Sequence, residues 1–124
     1  MKKFNKILNA YLPPILWATF IFILSSQSVI AGFQESGFDF IFKKAAHLFV
    51  YFILYLLLKR AVDQTTNLET STKHLYVPIL ICLLYAVSDE FHQSLVPGRY
   101  ATLRDIGYDM LGVSVAFLRR YNFI

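Results

Sequence analysis

The chain has a single cysteine, Cys82, set inside an apolar stretch, which excludes an intramolecular disulfide and any zinc site built on several thiolates. Charge is also scarce. Only 16% of residues are Asp, Glu, Lys or Arg, and the cations never gather into a long run, so the net charge of +4 does not form the basic stripe that nucleic acid needs. Internal repeats and low-complexity tracts are absent. What is abundant is apolar: 56% of 124 residues are hydrophobic and 17% aromatic, more than a small water-soluble domain can hide. A lipid bilayer is the natural solvent for such a chain.

A spanning helix needs about 20 mostly apolar residues. Tyr11 to Ile30 supplies one, with Pro13 and Pro14 expected in its opening turn, where a missing donor costs least. Ala45 to Leu58 is uncharged but short, and spans if Lys43, Lys44 and the aromatics Phe38, Phe40 and Phe42 reach the interface. A third run goes from Leu75 through Ser88 and can continue to His92. The fourth, Ile106 to Leu118, carries Asp109 within it. These runs predict an all-α fold: an integral membrane bundle of four transmembrane helices forming one domain over residues 1–124, with spans near 11–30, 43–60, 75–92 and 104–119. Ala61 to His74 reads as a polar loop without a chemical motif. Pro97-Gly98 reads as a turn, and Thr102 with Asp105 has the spacing of a capping box.

Cation placement predicts both termini on the cytoplasmic side. Lys2, Lys3, Lys6, Lys59, Arg60, Lys73, Arg119 and Arg120 then lie inside, and Lys43, Lys44, Arg99 and Arg104 outside. Met1-Lys2-Lys3 ahead of an apolar run also resembles a signal peptide. Its cleavage site at Ser28 to Ala31 is poor, and the run is long enough for an uncleaved span.

In that topology Glu35, Asp39, Asp89, Glu90, Asp105 and Asp109 all fall at the outer side, level with His47, His92, Ser25, Ser26 and Gln27. Asp105 and Asp109 are one turn apart on the fourth helix, continued by Gly112 and Ala116 as a stripe of small residues that permits close helix contact. His47, Tyr51 and Tyr55 share one face of the second helix. On the third, Tyr85, Asp89 and His92 share a face, and Glu90 is rotated by about 100° from Asp89. Two adjacent aspartates call for protonation of one or for a cation between them, and Arg99, Arg104 and Lys44 are available. His47 and His92 with the carboxylates could also ligate a metal, but their spacing matches no standard zinc motif.

Each of these residues has a structural reading too. Asp105 serves as a cap partner of Thr102, Lys44 and His47 as interface anchors, Ser25 and Ser26 as donors to their own helix, and the tyrosine stripe as packing. Asp109 is the exception. A carboxylate one turn into an apolar run costs about 2.5–3.5 kcal/mol at the bilayer centre, so pairing or function is its default.

The run Ser88-Asp89-Glu90-Phe91-His92-Gln93, then Val96-Pro97-Gly98-Arg99, then Asp105 and Asp109 ahead of Gly112, closely resembles the VanZ-like membrane proteins. Ser25-Ser26, and Lys43-Lys44-Ala45-Ala46-His47 followed by Tyr51, fit the same pattern, so the resemblance spans nearly the whole chain. Two positions depart from it: Val50 stands where a glutamate is common, and Ala116 where a second glycine is common. The resemblance implies a multi-pass protein of the bacterial inner membrane, related to one associated with low-level resistance to teicoplanin.

Three functional classes follow. The first is binding of a cell-envelope lipid headgroup or lipid-linked precursor by Lys44, His47, Asp89, Glu90, His92, Gln93, Arg99, Asp105 and Asp109, with Lys44 and Arg99 meeting anionic groups. The second is a membrane-embedded hydrolase or transferase with Asp89, Glu90 or His92 as general base, with or without a divalent metal. The third, suggested by Asp109 alone, is an ion-coupled transporter, although no internal repeat supports it. The expected partners are the bilayer and a lipid-borne ligand, not nucleic acid. The residues do not identify a cofactor, and a divalent metal belongs only to the hydrolase or transferase reading.

Overall fold

The computed structural model describes residues 2–25, 37–67, 72–95 and 103–123. They form four α-helices: α1 (Lys2–Ser25), α2 (Gly37–Thr65), α3 (Lys73–Ser94) and α4 (Leu103–Arg120). No strand occurs among the described residues. α1, α2 and α3 each contain a stretch of 22 residues long and apolar enough to cross a membrane. α4 has 18 residues, about 27 Å of helix, and its charges keep it outside that class.

Two boundaries in particular differ from the sequence reading. α1 begins at Lys2, so Pro13 and Pro14 lie in its interior rather than its first turn. Phe4, Ile7 and Leu8 continue the helical spacing ahead of them, and Ala10 is fully buried, so packing outweighs the two missing donors. α2 runs on to Thr65 through residues assigned to an aqueous loop, because Ala61 and Val62 are buried. Lys59, one of the cations assigned to the cytoplasmic side, is only 3% exposed. The turn at Pro97-Gly98, Thr102 of the capping box and the cleavage site at Ser28 to Ala31 lie outside the described residues.

Successive helices alternate in direction. Trp17 Nε1 donates to the Val50 carbonyl (2.8 Å) and Tyr11 Oη lies 3.1 Å from Thr65 Oγ1, which sets α1 antiparallel to α2. α3 returns alongside both, with Tyr51 and Tyr85 rings 6.2 Å apart and the Tyr85 hydroxyl donating to the Ala18 carbonyl. α4 runs parallel to α2, Tyr55 meeting Phe117 at 6.4 Å. α2 is the central helix and touches all three others. Its seam with α4 is tight because of Gly112: a Cβ there would collide with the Leu48 carbonyl oxygen and lie 3.0 Å from the carbonyl carbon. Glycine lets two backbones approach where any side chain would hold them apart.

The bundle exposes many large apolar side chains and buries ionisable ones beside an apolar core. Phe4, Ile15, Leu16, Leu84, Phe91 and Leu103 are prominently exposed, while Asp89, Glu90, Gln93, Asp105 and Asp109 are buried. On α4 the outward residues include Leu103, Gly107, Leu111, Ser114 and Leu118, and both carboxylates face the bundle. Water as the surrounding solvent would favour the reverse arrangement.

Candidate functional site

One end of the bundle gathers the first turns of α2 and α4 and the last turns of α3. Because α2 and α4 are parallel and close, residues three apart on one meet residues four apart on the other. Lys44 Nζ donates to Asp105 Oδ1, and His47 Nδ1 lies 2.7 Å from Asp109 Oδ1. Asp109 is 0% exposed, and its second oxygen, Oδ2, has no partner among the described residues. Against an ionised Asp109 the bond places the hydrogen on Nδ1, which leaves His47 Nε2 available. One turn deeper, the Tyr51 hydroxyl is buried, also without a described partner. The Lys44 ammonium lies 5.3 Å from the centre of the Tyr108 ring.

From the last turns of α3, Asp89 comes within electrostatic reach of His47, and Glu90 and Gln93 are buried on the same helix. Asp89, Asp105 and Asp109 together place negative charge around the His47 ring, so charges from three helices converge there. Glu90, which helical rotation set apart from Asp89, is as buried as its neighbour, because the inward face of α3 is broad enough to hold both. His92 stacks on Phe22 of α1, ring centres 4.4 Å apart. Arg99, Ser26, Gln27 and Glu35 lie outside the described residues, as do the side chains of Arg104 and Ser25. Asp105 gives an oxygen to Lys44, one of the three cations expected beside the aspartates, while Thr102 of its capping box lies outside the described residues; Asp109 meets the His47 ring. The described residues bring no three His, Cys, Asp or Glu side chains into metal-binding proximity. The cluster is suited to holding hydroxyl, amine or ammonium groups through carboxylates, with one lysine and one imidazole beside them.

The opposite end holds a polar centre absent from the sequence reading. Lys59 Nζ donates to Asp63 Oδ1 (2.6 Å) and to the His74 carbonyl (3.1 Å), and lies 3.3 Å from His74 Nδ1. The His74 carbonyl needs that donor because residue 78, four positions on, is a buried proline without an N–H. Arg120 reaches Asp63 Oδ2 at 3.6 Å, and Tyr121 lies under the Lys59 ammonium, 5.3 Å from it to the ring centre. Tyr121 is positioned by the end of α4, where Asn122 takes a left-handed φ of 63° and Phe123 N–H bonds the Leu118 carbonyl at 2.8 Å. The Lys59–Asp63 spacing and the His74–Pro78 spacing were the signals available in the sequence. Their joint meaning needed α2 beside α3.

Long apolar helices, outward apolar faces and inward ionisable groups define a membrane-type helical protein. The VanZ/LLP1 family profile matches residues 8–121, nearly the whole chain, and the chain belongs to the VanZ-like family. No curated protein and no solved structure matches it.

Proposed function

We propose that the cluster around His47 is a binding site for the polar headgroup of a cell-envelope lipid or lipid-linked precursor, on a four-span protein of the bacterial inner membrane with both termini cytoplasmic. The observation that carries this reading is the His47–Asp109 pair, its carboxylate fully buried, with Lys44–Asp105 one turn away and Asp89, Glu90 and Gln93 buried on α3 at the same end of the bundle. Ionisable groups inside a membrane bundle are costly unless paired or used, and Asp109 Oδ2 is a buried acceptor left without a partner among the described residues. From Ile106 to Leu118 the exposed residues of α4 are uncharged, which supports its role as the fourth span. With eight cations at the opposite end, the cluster faces outward, where lipid-linked wall precursors and the target of teicoplanin lie. Lys44, engaged by Asp105, is less available to an anion than its sequence position suggested. The ligand contacts fall instead on the carboxylates and His47, to which the sequence adds Arg99 and His92 as candidates.

The test is titration of the purified chain in lipid nanodiscs with a lipid-linked disaccharide-peptide precursor. His47→Ala should weaken binding by about tenfold or more, the loss of one charge-assisted hydrogen bond. Arg99→Ala and His92→Ala should reduce teicoplanin resistance in a bacterial host with unchanged protein level. Wild-type binding by His47→Ala, Arg99→Ala and His92→Ala would overturn the reading.

One observation favours a second reading, a membrane-embedded hydrolase or transferase. Asp109 holds His47 as an orienting carboxylate holds a general base, which moves that role from Asp89, Glu90 or His92 to His47. Turnover of the same precursor that His47→Gln abolishes, without loss of binding, would distinguish catalysis from binding.

A further inference from the structure

The seam between α1 and α2 at the end opposite His47 opens into a groove of 740 Å³ lined by Lys2, Asn5, Lys6, Asn9, Arg60 and Gln64. No carboxylate lines it. Lys2 with Lys6, Asn5 with Asn9, and Arg60 with Gln64 are each one helical turn apart, so the two helices present matching stripes of cations and amides to the same space. The nearby carboxylate of Asp63 is engaged by Lys59 and Arg120, and Lys2, Lys6 and Arg60 make no ion pair with a described residue. Lys2 and Lys6 repel each other at this spacing, which an anion between them relieves. The planar fork of Arg60 matches two oxygens of a phosphate.

Towards the middle of the bundle the same face of α1 continues as Leu16 and Phe20, 60% and 44% exposed, with Phe49 exposed on α2. The face is therefore polar and cationic for its first turns and apolar beyond them. That is the distribution a phospholipid presents, a charged phosphate at the surface and acyl chains beneath. A freely diffusing anion would have no use for the apolar continuation. We propose that this groove binds the phosphate headgroup of an anionic phospholipid, with Lys2, Lys6 and Arg60 on the phosphate, Asn5, Asn9 and Gln64 on the headgroup hydroxyls, and the acyl chains along Leu16, Phe20 and Phe49. It stands apart from the His47 cluster and does not depend on the function assigned there.

The experiment is lipid retention by the full chain, followed by native mass spectrometry after titration with phosphatidylglycerol or phosphatidylcholine. Phosphatidylglycerol should bind at least about tenfold more tightly, given the contribution of each basic side chain near an anionic lipid surface. The triple variant Lys2→Gln, Lys6→Gln, Arg60→Gln should lose that preference. Lys3→Gln, Lys73→Gln, Arg119→Gln removes as much charge from the same end but outside the groove, and should keep it. Helix content by circular dichroism should match wild type in both. Equal affinity for the two lipids, or equal loss of preference in both triple variants, overturns the proposal. Displacement of phosphatidylglycerol by millimolar inorganic phosphate would assign the groove to a free anion and overturn the lipid assignment.

Discussion

The Nδ1 atom of His47 on α2 lies 2.7 Å from Oδ1 of Asp109 on α4, sixty-two residues later in the chain and fully buried. The contact depends on Gly112, which lets the α4 backbone rest on the carbonyl of Leu48, and on the parallel course of the two helices.

Asp109→Asn keeps the shape of the side chain and an oxygen that can accept from His47, so the protein should fold and reach the membrane at wild-type level. Asp109→Leu leaves the imidazole facing an apolar group and should lower stability by about 1–3 kcal/mol. A double-mutant cycle of Asp109→Asn with His47→Gln should give a coupling of about 0.5–3 kcal/mol. Coupling indistinguishable from zero in detergent unfolding experiments would mean that the two side chains do not act as a pair.

Glycine substitutions on α4 should diverge sharply. Gly112→Ala drives a methyl into the Leu48 backbone, which cannot rotate away, and should cost at least about 1–3 kcal/mol and impair binding at the cluster. A Cβ on Gly107 meets nothing within 4 Å, so Gly107→Ala should be neutral or stabilising by up to about 1 kcal/mol. Equal melting temperatures for the two variants would contradict the close approach of α2 and α4.

Lys59 tests the second polar centre. Lys59→Met removes the donor that serves both Asp63 and the His74 carbonyl, and should destabilise by about 2–4 kcal/mol. Pro78→Ala restores a helical N–H to that carbonyl. Combined with Lys59→Met it should recover about 1 kcal/mol relative to the sum of the single changes. Strict additivity would show that the lysine does not substitute for the missing proline donor.

Membrane orientation can be read by cysteine labelling in a Cys82→Ala background. Cys82 is itself buried, so its replacement clears the background signal. A cysteine at Asn67 should react only with reagents given cytoplasmic access, and one at Tyr100 from outside. Opposite labelling at both positions would invert the topology and place the His47 cluster on the cytoplasmic side.

The sequence by itself determined that the chain is helical and membrane-type. Runs of about 20 apolar residues have few alternatives, since backbone polar groups in lipid must be satisfied within the helix. The spacing of Asp105, Asp109 and Gly112 also showed which face of α4 turns inward, and the motif from Ser88 to Gln93 pointed to the family. Helix ends were less legible. Pro13 and Pro14 looked like a start because local rules penalise interior proline, and the burial of Ala10 outweighed those rules. Only the tertiary structure decided who pairs with whom. Lys44, Arg99 and Arg104 were equal candidates for the aspartates in one dimension, and the register of α2 against α4 gave Asp105 to Lys44 and Asp109 to His47. Lys59 read as one more cytoplasmic cation until α3 lay beside it, because a lysine at a span boundary and a lysine serving an orphaned carbonyl share one local sequence signature. Apolar periodicity is a property of single helices, whereas the partner of a buried charge is set by the distance and rotation between two of them.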